Sequence, residues 1–192
     1  MDYKYFLIGL HCSGKQMILE DLKFMGVKYG RLFTNLPSVP ADRYIPNELY
    51  YSNEDIHNIF ESNSYIYMHE HFEQAEPYYE GLSLHEYDNG QVFAITPQQF
   101  NMIPQFRPND VLVWLDNTEH NRRVVHRSEK RKYDFNEQEK LSQYDMSDFV
   151  ERLNNHPHIL YFNNEDPFRI STIIYTLIQH PDLLKLYEKN FN

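Results

Sequence analysis

Residues 5–19 read Tyr5-Phe6-Leu7-Ile8-Gly9-Leu10-His11-Cys12-Ser13-Gly14-Lys15-Gln16-Met17-Ile18-Leu19. An apolar run, a loop framed by two glycines, a lysine and an apolar pattern at helical spacing follow one another. That is the order of a phosphate-binding loop (P-loop) set between a strand and a helix. Gly9 and Gly14 permit the sharp backbone turns. The intervening N–H groups can then point inward at phosphate oxygens, and the helix N-terminus adds the positive end of its dipole. Lys15 is placed to reach the β- and γ-phosphates as a point charge. The pattern departs from G-x-x-x-x-G-K-[ST] at Gln16, where a hydroxyl residue normally ligates Mg²⁺. Gln16 offers only an amide carbonyl to that metal. Gly9, His11, Cys12, Ser13, Gly14, Lys15 and Gln16 are the expected nucleotide-binding residues. Cys12, beside Lys15 and a helix N-terminus, is expected to carry a more reactive thiol than an ordinary exposed cysteine.

Outward from this loop, strands alternate with helices. Lys4–Leu10 reads as a strand, Lys15–Met25 as a helix and Val27–Thr34 as a second strand. Pro37, Pro40 and Pro46 mark residues 35–47 as a loop. Ser52-Asn53-Glu54-Asp55 caps a short helix running to about Ser62. Ser64–Met68 alternates as a strand, Pro77–Gly81 reads as a turn, and Leu82–Tyr87 as a short helix. Asp88-Asn89-Gly90 is a further turn. Gln91–Ile95 is an apolar strand, and Pro97 opens a helix. Val111–Leu115 is the next apolar strand. Thr118 to Lys130 and Asn136 to Leu153 are expected helices. Ile159–Phe162 is the last strand, followed by helices over Pro167–Ile178 and Pro181–Lys189. Alternation of this kind implies a largely parallel sheet covered on both faces.

The chain has 192 residues, 41% of them hydrophobic, which suits one domain with a sizeable core. Its net charge of −10 argues against strong nucleic-acid binding, although a few local arginines can still hold a small phosphorylated substrate. No apolar run approaches the ~20 residues of a membrane span. Met1-Asp2-Tyr3-Lys4 leads into a strand without a leader pattern, and a single cysteine fits a reducing compartment, so a cytoplasmic protein is expected.

The order of parts resembles the guanylate kinase family of P-loop nucleoside monophosphate kinases over nearly the whole chain. Thr34-Asn35-Leu36-Pro37 stands where the family has a Thr-Thr-Arg-type run, which leaves Arg43 as the basic residue of this loop. Tyr50-Tyr51-Ser52-Asn53-Glu54-Asp55-Ile56 resembles the family's aromatic–Ser–acidic helix start. Glu70 and Tyr78-Tyr79 resemble the acidic residue and tyrosine pair that read the guanine and hold its phosphate. Counting from Ser52 places Tyr67 instead of Glu70 at the acidic position. Thr96-Pro97 replaces an acidic strand end, a second departure at the metal site. Val111-Leu112-Val113-Trp114-Leu115 matches the strand before the lid. Arg122, Arg123, Arg127 and Arg131 follow it, with Lys130 and Lys132. Arg123, Arg127 and Arg131 repeat at i, i+4, i+8 and so share one helical face. Asn163-Asn164-Glu165-Asp166 resembles the family's Asn-Asp turn that contacts adenine.

The resemblance implies a three-layer α/β P-loop kinase over residues 1–192, with a mostly parallel sheet. Its core would comprise 1–34 and 90–192 with a helical lid at 118–140, and an inserted acceptor-binding subdomain would span 35–89. It implies ATP and Mg²⁺ as cofactors and phosphoryl transfer to a nucleoside or deoxynucleoside monophosphate. Lys15, Arg123, Arg127 and Arg131 would then be catalytic. Asn163 and Asn164 would join the P-loop in holding ATP. Arg43, Glu70, Tyr78 and Tyr79 would hold the acceptor, with Asp116 or Glu119 in supporting roles near the lid hinge. A nucleotide-binding or protein-interaction module with little turnover is the alternative, favoured by Gln16 and Thr96. A kinase of a larger or modified nucleic-acid acceptor is a third, less compatible with the acidic charge. His69 and His71 fall on one strand face, but no third metal ligand is evident nearby. No Gly-x-Ser-x-Gly elbow supports hydrolase chemistry.

Overall fold

The computed structural model describes residues 3–10, 13–35, 48–72, 77–116, 147–163 and 166–188. Strand β1 (Lys4–Ile8) lies between β6 (Val92–Ile95) and β7 (Asp110–Asp116), and β7 pairs in turn with β8 (Ile159–Asn163). All three pairings are parallel. Strands of such a sheet are covered on both faces and so read as apolar runs without alternation. Tyr5, Phe6, Leu7 and Ile8 are all buried, as are Val111, Leu112 and Val113.

One face of this sheet carries α1 (Lys15–Phe24) and α6 (Pro167–Gln179). Ile18, Leu19 and Leu22 of α1 meet Ile170, Ile174 and Leu177 of α6 over Tyr5, Leu7, Val111 and Val113. The other face turns Phe6, Ile8, Phe93, Ile95 and Leu112 toward a second cluster. Tyr87 of α3 (Leu84–Asn89), Phe100 of α4 (Pro97–Met102), and Phe149 and Leu153 of α5 (Ser147–Asn154) complete it. The chain closes with a 3₁₀ turn (Pro181–Leu183) and α7 (Leu184–Tyr187).

A second, mixed sheet is formed by β3 (Glu48–Tyr50), β2 (Leu32–Thr34), β5 (Tyr78–Ser83) and β4 (Tyr65–His71), in that order. Only β2 and β3 run parallel. Leu32, Tyr67 and Leu82 of this sheet pack in the same cluster as Phe6 and Phe93, so the two sheets share a core. Helix α2 (Asn53–Glu61) follows β3. It starts at a capping box in which Ser52 Oγ accepts from the Asp55 N–H at 3.1 Å and Asp55 Oδ2 accepts from the Ser52 N–H at 2.9 Å.

The α/β architecture with a mostly parallel four-stranded sheet is the expected one. Two of the differences from expectation bear on the second sheet. Residues 32–34 pair in the second sheet and leave the parallel one; the segment meets the parallel sheet only before them, at Lys28–Gly30, through main-chain bonds to Val92 and the Tyr29–Val92 bridge. The turn expected over Pro77–Gly81 is the first half of β5. Tyr78, Tyr79 and Glu80 each find a cross-strand partner, in His71, Glu70 and His69 respectively, and this pairing overrides the turn signal of Pro77 and Gly81. The lid segment 118–140 lies outside the described residues.

A polar cluster ties the sheet edge opposite the P-loop. Lys4 Nζ donates to the carbonyls of Tyr87, Asp88 and Gly90 at 2.7–2.9 Å. The buried Asp110 carboxylate accepts from Tyr87 Oη at 2.6 Å and from the Arg107 N–H at 2.7 Å. Burial pushes the Asp110 carboxyl above the usual carboxylate range, while these two bonds pull it back.

Candidate phosphate-binding site

In a parallel sheet every strand delivers its C-terminal end to one edge, and ligands of open α/β sheets bind outside that edge. Here β1 ends in Ile8 and passes through Gly9 and Leu10 into the loop that opens α1. Two glycines shape this loop. A Cβ on Gly9 would lie 2.5 Å from Ser13 Oγ and 3.1 Å from the Leu115 carbonyl oxygen, so a side chain there would force Ser13 to move and crowd the β7 backbone. Gly14 has φ of 95° and stands at the N-cap of α1, a left-handed conformation that costs other residues about 1–2 kcal/mol. Ser13 is buried, and its N–H returns to the Leu10 carbonyl at 3.2 Å.

Lys15 curls into this loop. Its ammonium donates to the Gly9 carbonyl, to the Leu10 carbonyl at 2.8 Å and to Ser13 Oγ at 3.3 Å. A cation on the first residue of a helix sits against the positive end of the dipole, an arrangement that favours the arrival of an anion. Gln16 turns away along α1, its amide nitrogen donating to Glu20 Oε1 at 2.9 Å. The start of α6 closes over the loop: the Pro167 ring lies 3.2 Å from the Cβ position of Gly14. Asp166 caps α6 by accepting from the Phe168 N–H at 3.3 Å.

The same edge holds the ends of the other strands. Thr96, after β6, caps α4: its Oγ1 accepts from the Gln99 N–H at 3.1 Å and its own N–H donates to Gln99 Oε1 at 2.8 Å. The residue standing where an acidic strand end was expected is therefore occupied as a helix cap. Asp116 ends β7 and pairs in register with Asn163 of β8. Its Oδ2 accepts from Tyr161 Oη at 2.5 Å, and the tyrosine is pushed up to about 12 by partial burial and by this carboxylate.

In the second sheet Glu70 and Tyr79 are cross-strand partners, and Tyr79 Oη donates to Glu70 Oε1 at 2.8 Å. The bond to Glu70 raises the Tyr79 phenol above its ordinary value. Tyr78 projects to the other face of the sheet, where its ring stacks on His71 at 4.4 Å between centroids. Tyr67, the alternative acidic-position residue, is buried in the shared core. His69 and His71 do lie together, with ring centroids 4.6 Å apart and His71 Nε2 3.5 Å from Glu80 Oε1. Among the described residues no group of three histidine, cysteine or acidic side chains is placed to hold a metal.

Asn35 is a residue that the sequence reading did not single out. Its Oδ1 accepts from the Tyr79 N–H at 2.6 Å, its Nδ2 donates to Asn53 Oδ1 at 2.7 Å, and its own N–H donates to the Tyr79 carbonyl at 3.2 Å. It ties the end of β2 to the start of α2 and to the start of β5. No spacing announces it, because its partners are 18 and 44 residues away in sequence. His11, Cys12, Arg43, Arg123, Arg127, Arg131 and Asn164 lie outside the described residues. Gly9, Ser13, Gly14 and Lys15 are brought together, as are Glu70 and Tyr79.

No family model and no curated protein matches this sequence. Among solved structures the chain is similar to guanylate kinase from Anaplasma phagocytophilum, with a TM-score of 0.53 and 10% identity over 94% of this chain and 87% of that one. A sugar kinase from Janibacter sp. HTCC2649 is matched with a TM-score of 0.45 and 12% identity, over 96% and 98% of the two chains. The first likeness shows that this chain shares the overall fold of that guanylate kinase.

Proposed function

We propose that this protein transfers a phosphoryl group from ATP to a nucleoside or deoxynucleoside monophosphate. The observation that carries the proposal is the loop of residues 9–15. A glycine pressed against Ser13 and the β7 backbone, a left-handed Gly14 and an inward-curled Lys15 all sit at a helix N-terminus on the C-terminal edge of a parallel sheet. Phosphoryl transfer asks little covalent chemistry of a protein. It requires positioning and neutralisation of charge over the transferred group.

In this reading the loop amides and Lys15 hold the β- and γ-phosphates. Arg123, Arg127 and Arg131 supply charge to the transferred group, and Asn163 and Asn164 approach the adenine. Glu70 and Tyr79 hold the acceptor together with Arg43. Tyr78, stacked on His71 on the other face, would support the hairpin. Mg²⁺, when bound, would supply charge neutralisation to the phosphates. With Gln16 turned toward Glu20, the oxygen donor present at the loop edge is the Asp116 carboxylate, a hard donor of the kind that Mg²⁺ takes. A cytoplasmic location fits this chemistry, and among the described residues no helix is long and apolar enough to cross a membrane.

A steady-state ADP-release assay against a panel of nucleoside and deoxynucleoside monophosphates tests the proposal. Turnover with at least one acceptor, lost in Lys15→Ala, is the expected result. A second reading, a nucleotide-binding module with the fold but little turnover, is favoured by the diversion of Gln16 to Glu20 and of Thr96 to a helix cap. Tight ADP binding with no turnover on any acceptor would select it.

A further inference from the structure

The fold lacks a metal-side carboxylate where one is expected, and it places another nearby. Thr96, after β6, spends its hydroxyl on the cap of α4. The residue after Lys15 is a glutamine engaged with Glu20. Of the four parallel strands, β1 ends in Ile8, β6 in Ile95, β8 in Asn163 and β7 in an acid, Asp116.

The position of Asp116 follows from register. Trp114 pairs with Ile8 in the last rung of the ladder, so Asp116 ends β7 two residues beyond that rung, at the edge where the P-loop leaves β1. The approach is close, since the carbonyl of the preceding Leu115 stands 3.1 Å from the Cβ position of Gly9. The side chain is half-buried and oriented. Tyr161 Oη, 2.5 Å away, donates to Oδ2, and Oδ1 makes no hydrogen bond described for this residue. Mg²⁺ on a nucleotide keeps several waters and takes one or two carboxylates besides the phosphates, so one oriented oxygen at the loop edge suffices.

The geometry points to Asp116 as the carboxylate that holds the hydrated Mg²⁺ of the nucleotide, in place of the acid missing from the end of β6, with Tyr161 as its positioning residue. This inference rests on the nucleotide reading of the P-loop. It assigns the metal side of the site to β7, across β1 from the strand where an acid was expected.

The test uses the full chain and ADP, with Mn²⁺ as an EPR-visible probe for Mg²⁺. Free Mn²⁺ is followed during titration with protein and ADP, and ADP affinity is measured by calorimetry with EDTA and with Mg²⁺. Asp116→Asn should weaken Mn²⁺ retention in the ADP complex and the Mg²⁺-dependent part of ADP affinity by about tenfold, the value of one charge-assisted contact. Its ADP affinity in EDTA should stay within about twofold of the unaltered chain. Tyr161→Phe keeps the carboxylate but loses the bond that orients it, and should give a measurable fall in Mn²⁺ retention smaller than that of Asp116→Asn. Undiminished Mn²⁺ retention in Asp116→Asn would overturn the inference. So would an equal fall in both variants, which would mark the pair as structural. Failure of the unaltered chain to bind ADP at all would remove the nucleotide reading, and this inference with it.

Discussion

At the scale of single residues, the site turns on groups whose chemistry is easy to remove. Lys15 points into its own loop and away from the core, so Lys15→Ala should leave the fold intact. A hydrogen bond to a charged group is worth about 1.5–3 kcal/mol, so ADP or ATP affinity should fall by tenfold or more. Calorimetric titration beside a thermal melt checks both halves of this expectation. Tyr87→Phe probes the opposite edge of the sheet. It removes one of the two donors that hold the buried Asp110 carboxylate and should cost about 1–3 kcal/mol in a denaturant titration. Cys12 offers a chemical probe of the same loop. Its alkylation should be slowed by bound Mg-ATP and should itself block nucleotide; equal rates with and without nucleotide, read by mass spectrometry, would contradict placement of the nucleotide in this loop.

At the scale of elements, Asn35 joins three of them through two side-chain bonds and one main-chain bond. Asn35→Ala leaves the Tyr79 N–H and Asn53 without their partner and should destabilise the chain by about 1–3 kcal/mol. In the kinase reading it should also raise KM for the acceptor more than it lowers kcat, because it loosens β5 under Tyr79 and leaves the P-loop alone. Steady-state kinetics with acceptor varied at saturating ATP separate the two. Helix α2 was legible in the sequence because Ser52 and Asp55 form a local capping box three residues apart. Strand β5 was hidden because its pairing with β4 is long-range. Pro77 and Gly81 signal a turn to any local reading, and only His69, Glu70 and His71 across the ladder turn the segment into a strand.

At the scale of the whole molecule, several tyrosines are held protonated by their surroundings. Burial raises Tyr5 and, together with Asp110, Tyr87; partial burial and Asp116 push Tyr161 to about 12. The unfolded chain releases these protons near the ordinary tyrosine value of about 10 while the folded chain keeps them. The folded state therefore binds more protons than the unfolded one above that pH, and stability falls as pH rises from about 10 toward 12. Denaturation midpoints measured across this range should decline, and tyrosinate absorbance should show a late group that titrates only as the protein unfolds. Tyr87→Phe should flatten this decline.

The sequence by itself determined the elements whose signals are local. The P-loop lies within eight consecutive residues. The apolar runs 5–8 and 111–115, short and bounded by loop signals, read as strands of a covered parallel sheet, and the cap at Ser52 and the first-turn proline Pro97 announce their helices within four residues. These followed from covalent neighbours and backbone propensity alone. The tertiary structure decided what depends on partners distant in the chain. It moved residues 32–34 into the second sheet, buried Tyr67 and left Glu70 to meet Tyr79. It spent Thr96 on a helix cap and, through the register of β1 and β7, set Asp116 at the sheet edge where the P-loop begins. Those choices are made by ladder pairing and by competition for a shared core, and both are energies between residues that the sequence separates.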